Sequence, residues 1–135
     1  MKYLLDTHIL IWFLKGDNSF LTDEVINLIE NKENKIYFSI VSLWEVAIKY
    51  SKNPSSIGIS AENLAKLCLK ANFYELLINK EHIFTLNGLK LANDDIKHGD
   101  PFDRMLIAQS KFEKMVLITH DSKIKLYNEK YVMIV

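Results

Sequence analysis

Apolar runs and helical periods alternate along the chain. Lys2 to Leu5 is a short apolar run closed by Asp6, which predicts a strand. His8 to Lys15 is apolar, carries Trp12 and Phe13, and meets Gly16, a natural helix stop. Leu21, Val25, Leu28 and Ile29 repeat at helical spacing, although Thr22 and Val25 make no capping box. Lys35 to Ile40 (KIYFSI) is β-branched and aromatic, a second strand. Ser42-x-x-Glu45 then gives a capping-box pattern, opening a helix through Leu43, Val46, Ala47 and Tyr50. Lys52 to Ser60, with a proline and several serines, reads as a connecting loop. Ser60 to Ala71 follows as a helix with Leu64, Leu67 and Cys68 on one stripe.

The second half continues the alternation. Tyr74 to Ile78 predicts a third strand, and Asn79 to Leu86 a short helix. Asp100 to Phe112 is a helix opened by Pro101. Met115 to Thr119 is a fourth strand, Asp121 starts a short helix to Tyr127, and Tyr131 to Val135 is a terminal strand. Strands separated by helices predict an α/β fold, with a central parallel sheet and right-handed connections. No repeat or linker divides the 135 residues, so residues 1–135 form one domain.

Composition narrows the class. An apolar fraction of 49% excludes disorder as the main theme, and a single cysteine excludes a disulfide framework. No apolar run approaches the roughly 20 residues of a membrane span. The apolar N-terminus is interrupted by Asp6 and has no small-residue cleavage site, so a cytoplasmic location is expected. Lys+Arg 17 against Asp+Glu 17 gives no broad electrostatic grip on nucleic acid and leaves room for a local one.

The chemistry gathers at strand ends. Asp6 closes the first strand, Glu45 lies a few residues past the second, and Thr119-His120-Asp121 closes the fourth. Asp100 and Asp103 open a helix between them. Open parallel sheets bind ligands beyond the carboxyl ends of their strands, so these acids point to one edge. Clustered carboxylates repel unless a cation joins them, and hard oxygen donors favour Mg²⁺ or Mn²⁺ over Zn²⁺. Metal-assisted phosphodiester hydrolysis is the matching reaction class. Taken singly, each acid has a plainer reading as a helix cap or a solvated surface group, and Glu45 has its capping box. Asp6, which breaks a strongly apolar segment, is hardest to explain that way.

Four segments carry a resemblance: Leu-Leu-Asp6-Thr7-His8, Ser42-Leu43-Trp44-Glu45-Val46, His98-Gly99-Asp100-Pro101-Phe102-Asp103-Arg104-Met105-Leu106 and Ile118-Thr119-His120-Asp121. In order and separation they resemble the signature segments of PIN-domain ribonucleases, in particular VapC-type toxins of bacterial type II toxin–antitoxin systems. The likeness runs from Tyr3 to Tyr127. It implies a three-layer α/β/α fold and a Mg²⁺- or Mn²⁺-dependent endoribonuclease acting on RNA. It carries the catalytic and metal-binding roles onto Asp6, Glu45, Asp103 and Asp121. It also implies a homodimer and a cognate antitoxin that covers the active-site groove.

Neighbouring residues have two readings each. Thr7 and Thr119 are hydroxyl donors to the site or helix caps. Asp100 is the cap before Pro101 or a supporting carboxylate, and His8, His98 and His120 contact phosphate or lie on the surface. Arg104, a cation ill-placed for the helix dipole, pairs with phosphate or a site carboxylate, or is simply solvated. Trp12, Trp44 and Phe102 stack bases or pack in a core or dimer; Lys49, Lys52, Lys111 and Lys114 form a phosphate rim or a scattered solvated set. A phosphatase of the haloacid-dehalogenase type wants an Asp where His8 stands, and a receiver-type signalling domain lacks its acidic pair here. A catalytically inactive PIN-fold interaction module is the remaining alternative.

Overall fold

The computed structural model describes residues 1–89, 100–121 and 132–135. In chain order the elements are β1 (Lys2–Leu5), α1 (Thr7–Lys15), a 3₁₀ turn (Asn18–Phe20), α2 (Asp23–Glu30), β2 (Lys35–Ser39), α3 (Ile40–Lys52), α4 (Pro54–Ile57) and α5 (Ala61–Lys70). Then come β3 (Tyr74–Leu76), α6 (Lys80–Thr85), a second 3₁₀ turn (Leu86–Gly88), α7 (Pro101–Glu113), β4 (Val116–Thr119) and β5 (Val132–Ile134). All strand pairs are parallel, in the order β3-β2-β1-β4-β5. The sheet is central in a three-layer α/β/α arrangement, as the sequence and its resemblance imply.

Alternation along β1 explains the layering. Tyr3 and Leu5 join Ile9, Leu10, Phe38, Leu64 and Cys68 in one buried cluster, while Leu4 joins Val41, Leu106, Ile107 and Leu117 in another. Successive strand residues face opposite sides, so a run apolar at every position is a strand covered on both faces. At about 25 cal/mol per Å² of buried apolar surface, each leucine contributes roughly 1.5–3 kcal/mol. The order also sets the site: from β1 the chain steps outward to β2 and β3, whereas β4 and β5 lie on the other side. The carboxyl ends of β1 and β4 therefore flank a topological switch point.

Helix ends follow local chemistry. Gly16 closes α1 at φ 73°, a conformation that favours glycine. Thr22 and Ser60 cap α2 and α5. Asn79 and His82 form a full capping box at α6.

Three expectations need correction. The helix carrying Glu45 begins at Ile40, not after Ser42, and its cap is Ser39, whose hydroxyl accepts from Val41 N–H at 3.0 Å. Ser39 also donates to Gln109 Oε1 at 2.6 Å, which ties this helix start to α7. Ser42 is buried within the first turn, so no capping box competes for the Glu45 carboxylate. Lys52 to Ser60 is not a plain loop, because Pro54 opens one turn of helix that Gly58 closes at φ 76°. The third strand stops at Leu76, where its partner β2 ends, and Leu77 is exposed. The predicted helix after Asp121 lies outside the described residues.

Ser39→Ala removes a cap and leaves the buried Gln109 carbonyl without its hydroxyl donor. It should cost about 2 kcal/mol in urea unfolding. Ser51→Ala, an exposed hydroxyl on the same helix, should change stability far less. Equal losses in the two variants would refute this account of α3.

Candidate active site

Asp6 sits at the N-cap of α1, yet its side chain makes no capping bond. Its backbone is committed instead: its N–H donates to Ile118 O at 2.9 Å and its carbonyl accepts from Leu10 N–H at 2.9 Å. The carboxylate turns to Thr119, whose hydroxyl donates to Oδ2. Asp6 and Thr119 thus join the ends of β1 and β4 in a buried contact. Thr119 Oγ1 also accepts from Asp121 N–H at 3.1 Å. The terminal strand holds the same corner, with Val135 N–H donating to Thr119 O at 2.8 Å.

Glu45 comes from α3 and is 4% exposed. Thr7 Oγ1 donates to its Oε1 at 2.8 Å and hydrogen-bonds Ser42 Oγ at 2.9 Å. Lys49, one turn on, donates to Oε2 at 2.5 Å. Burial pulls the Lys49 ammonium down, but the Glu45 carboxylate overrides it and the pKa is raised.

Asp100 and Asp103 divide their labour as the Pro101 position predicts. Asp100 caps α7, accepting from Phe102 N–H at 2.8 Å and Asp103 N–H at 3.1 Å. Asp103, in the first turn, is 7% exposed. Burial, then the charges of Asp6 and Asp100 and contact with Asp121, push its carboxyl up to about 8. Burial also raises Asp6, against the opposing hydrogen bond from Thr119.

Asp6, Glu45, Asp100, Asp103 and Asp121 line one cavity of about 290 Å³ with His8, Trp12, Lys49 and His120. The four acids singled out in the sequence are therefore together, with Thr7 and Thr119 bonded to two of them. Among the described residues, no three of the His, Cys, Asp and Glu side chains are arranged as a ready-made cage for a metal ion. The donor set still suits a hard divalent cation, which keeps several waters and needs few direct carboxylates. Asp6, Glu45, Asp103 and Asp121 are the residues that could hold one.

Other sequence candidates fall elsewhere. Arg104 Nη2 donates to Leu86 O at 3.4 Å, and the residue is not among those lining the cavity. Trp44 packs edge-on against Phe102, centroids 5.0 Å apart. Lys111 donates to Gly88 O, Lys114 closes α7 at φ 57°, and Lys52 is exposed, so the four lysines form no rim. Of these four lysines Lys49 lines the cavity, and its i,i+4 spacing from Glu45 is the signal in the sequence. Ser42, the hydrogen-bond partner of Thr7, carries no local sequence signal for that contact, because no short-range pattern sets the start of α3 at Ile40. His98 lies outside the described residues.

The PIN domain family model matches residues 3–130. No curated protein matches the chain. Among solved structures, VapBC2 from Rickettsia felis bound to a promoter DNA fragment has a TM-score of 0.67 at 19% identity, over 98% of each chain. A toxin–antitoxin complex from Klebsiella pneumoniae gives 0.58 at 21% identity, over 97% of this chain and 95% of that one. A domain of a functionally unknown protein from Methanocaldococcus jannaschii gives 0.50 at 16%, over 99% and 90%. At such identities the likeness is one of fold.

The raised pKa of Asp103 fixes the sign of a pH response. A carboxyl that binds its proton more tightly when folded stabilises the fold at acid pH. That contribution is lost as pH rises from the ordinary 3.8 through about 8. With chelator present, the chain should lose stability relative to Asp103→Asn across this window. Urea unfolding of both proteins between pH 4 and 9 measures it, and parallel curves would contradict the assignment.

Proposed function

The chain belongs to the PIN domain family, and on that premise we propose that it is a metal-dependent endoribonuclease. It hydrolyses RNA phosphodiester bonds with Mg²⁺ or Mn²⁺ and is the toxin of a type II toxin–antitoxin pair, acting in the cytoplasm. One observation carries the reading: among the described residues, five carboxyl groups share a cavity with one lysine at the ends of β1 and β4. Two of them, Asp6 and Asp103, are buried and hold their protons abnormally tightly. A divalent cation relieves such repulsion. An inactive interaction module gains nothing from it, so that alternative is the weaker one.

The bound ion would polarise the phosphodiester and ease attack by water. The chain's own residues prepare its place. Thr119 fixes Asp6, Thr7 and Lys49 fix Glu45, and the Asp100 cap sets the first turn from which Asp103 enters the cavity. Lys49 can offer a charge-assisted hydrogen bond to a phosphate oxygen. The fold shared with VapBC2 and with a toxin–antitoxin complex supports a cognate antitoxin as partner. We take the chain to act as a homodimer, as its sequence resemblance implies.

Cleavage of a mixed single-stranded RNA pool is the direct test. Wild-type protein should cut with Mg²⁺ or Mn²⁺ and stop with chelator, and Asp6→Asn and Asp103→Asn should each lose nearly all activity while staying folded. Cleavage that survives chelation, or both variants fully active, would defeat the reading.

The two aspartates of α7 are separable. Asp100→Ala should lose roughly 1 kcal/mol of stability with the cap, whereas Asp100→Asn caps almost as well and should keep both stability and most cleavage. Thermal melts and cleavage rates of the two variants decide. If Asp100→Asn is folded but dead, Asp100 is a site carboxylate rather than a cap alone.

A further inference from the structure

The hydrolytic reading uses the acids of the cavity and leaves its aromatic wall without a role. His8, Trp12 and His120 line the same space as the five carboxyl groups. They come from separate parts of the chain: His8 and Trp12 lie one turn apart on α1, and His120 follows β4. Phe20, on the first 3₁₀ turn, packs against Trp12 and His120 beside the cavity lining. Trp12 stacks on Phe20 with centroids 4.6 Å apart and planes 27° apart. It meets His120 edge-on at 5.4 Å and His8 at 5.7 Å. Trp12 packs partly against the main core, but the other three rings stay outside it: Phe20 is 51% exposed and both imidazoles are exposed. The His120 ring is also held in place, since Nδ1 donates to Val135 O at 2.6 Å.

We infer that this wall is a nucleobase subsite: His8, Trp12 and His120, with Phe20 packed against Trp12 and His120, receive one unpaired base of the RNA strand whose phosphate lies at the carboxylates. The inference rests on the nuclease reading and adds a substrate contact to it. The occupant follows from the cavity. A wall built of aromatic faces, with Trp12 stacked on Phe20, suits a planar stacking group. The volume of about 290 Å³ is at the small end of ligand pockets, on the scale of one nucleotide rather than a duplex. Every base has a π-face, so stacking here tolerates sequence, and a base can reach the wall only when unstacked from its neighbours.

The test uses the full chain with Mn²⁺ and a single-stranded oligonucleotide containing one mapped cleavage site. Abasic units replace the nucleotides on either side of that site, one at a time. Wild-type protein should show a roughly tenfold or greater rise in KM at one flank. Phe20→Ala and His120→Ala, changes at exposed side chains, should raise KM on the intact oligonucleotide and cleave intact and abasic forms with similar efficiency. Trp12→Leu should do the same if its melt shows it folded. Equal cleavage of intact and abasic forms by wild type overturns the subsite and leaves the nuclease reading standing. The subsite also falls if both exposed-ring variants keep the wild-type discrimination. Insensitivity to the abasic units combined with loss of antitoxin inhibition in Phe20→Ala would assign the wall to the protein partner instead. No cleavage of any oligonucleotide by wild type overturns the nuclease reading and the subsite with it.

Discussion

The hydrogen bond from the Thr119 hydroxyl to the Asp6 carboxylate joins the ends of the two central strands, and the site is built around it. It is possible only because β1 and β4 are parallel neighbours in register, Leu5 beside Ile118, so that both chains leave the sheet at one level. It also holds a buried carboxylate away from the capping role its position would normally give it. Without Thr119, Asp6 would lose the hydrogen bond that most opposes the desolvation of its charge.

The other acids are placed by a similar economy of partners. Thr7 and Lys49 each take one oxygen of Glu45, so its carboxylate is fixed from two elements. Asp100 satisfies the first N–H groups of α7, which leaves Asp103 without capping duty. Every buried side-chain nitrogen and oxygen among the described residues has a partner. The remaining tension at the cavity is electrostatic rather than a want of hydrogen bonds. Two apolar clusters, one on each face of the sheet, hold that tension in place.

Much of this was legible in the sequence, for reasons that differ by element. A run such as Lys2 to Leu5, closed by a charge, has few other uses than a covered strand. Pro101 after Asp100 fixes the helix start, and with it which of the two acids caps α7. The start of α3 was not legible, because Ile40 and Val41 suit a strand and Ser42 with Glu45 mimics a capping box. The deciding contact, Ser39 with Gln109, spans 70 positions and no local pattern encodes it. The gathering of His8, Trp12, Phe20 and His120 on one wall was hidden for the same reason. Each ring alone reads as packing, and only the topology makes them neighbours of the acids.

We propose that these carboxyl groups form one cation site at the switch point. Anomalous scattering from crystals of the chain soaked in Mn²⁺ tests it most directly. A manganese peak is expected in the cavity, within ligand or single-water reach of Asp6, Glu45, Asp103 and Asp121, and it should be lost in Asp103→Asn crystals. A peak only at surface sites, or a cavity peak unchanged in Asp103→Asn, would contradict it.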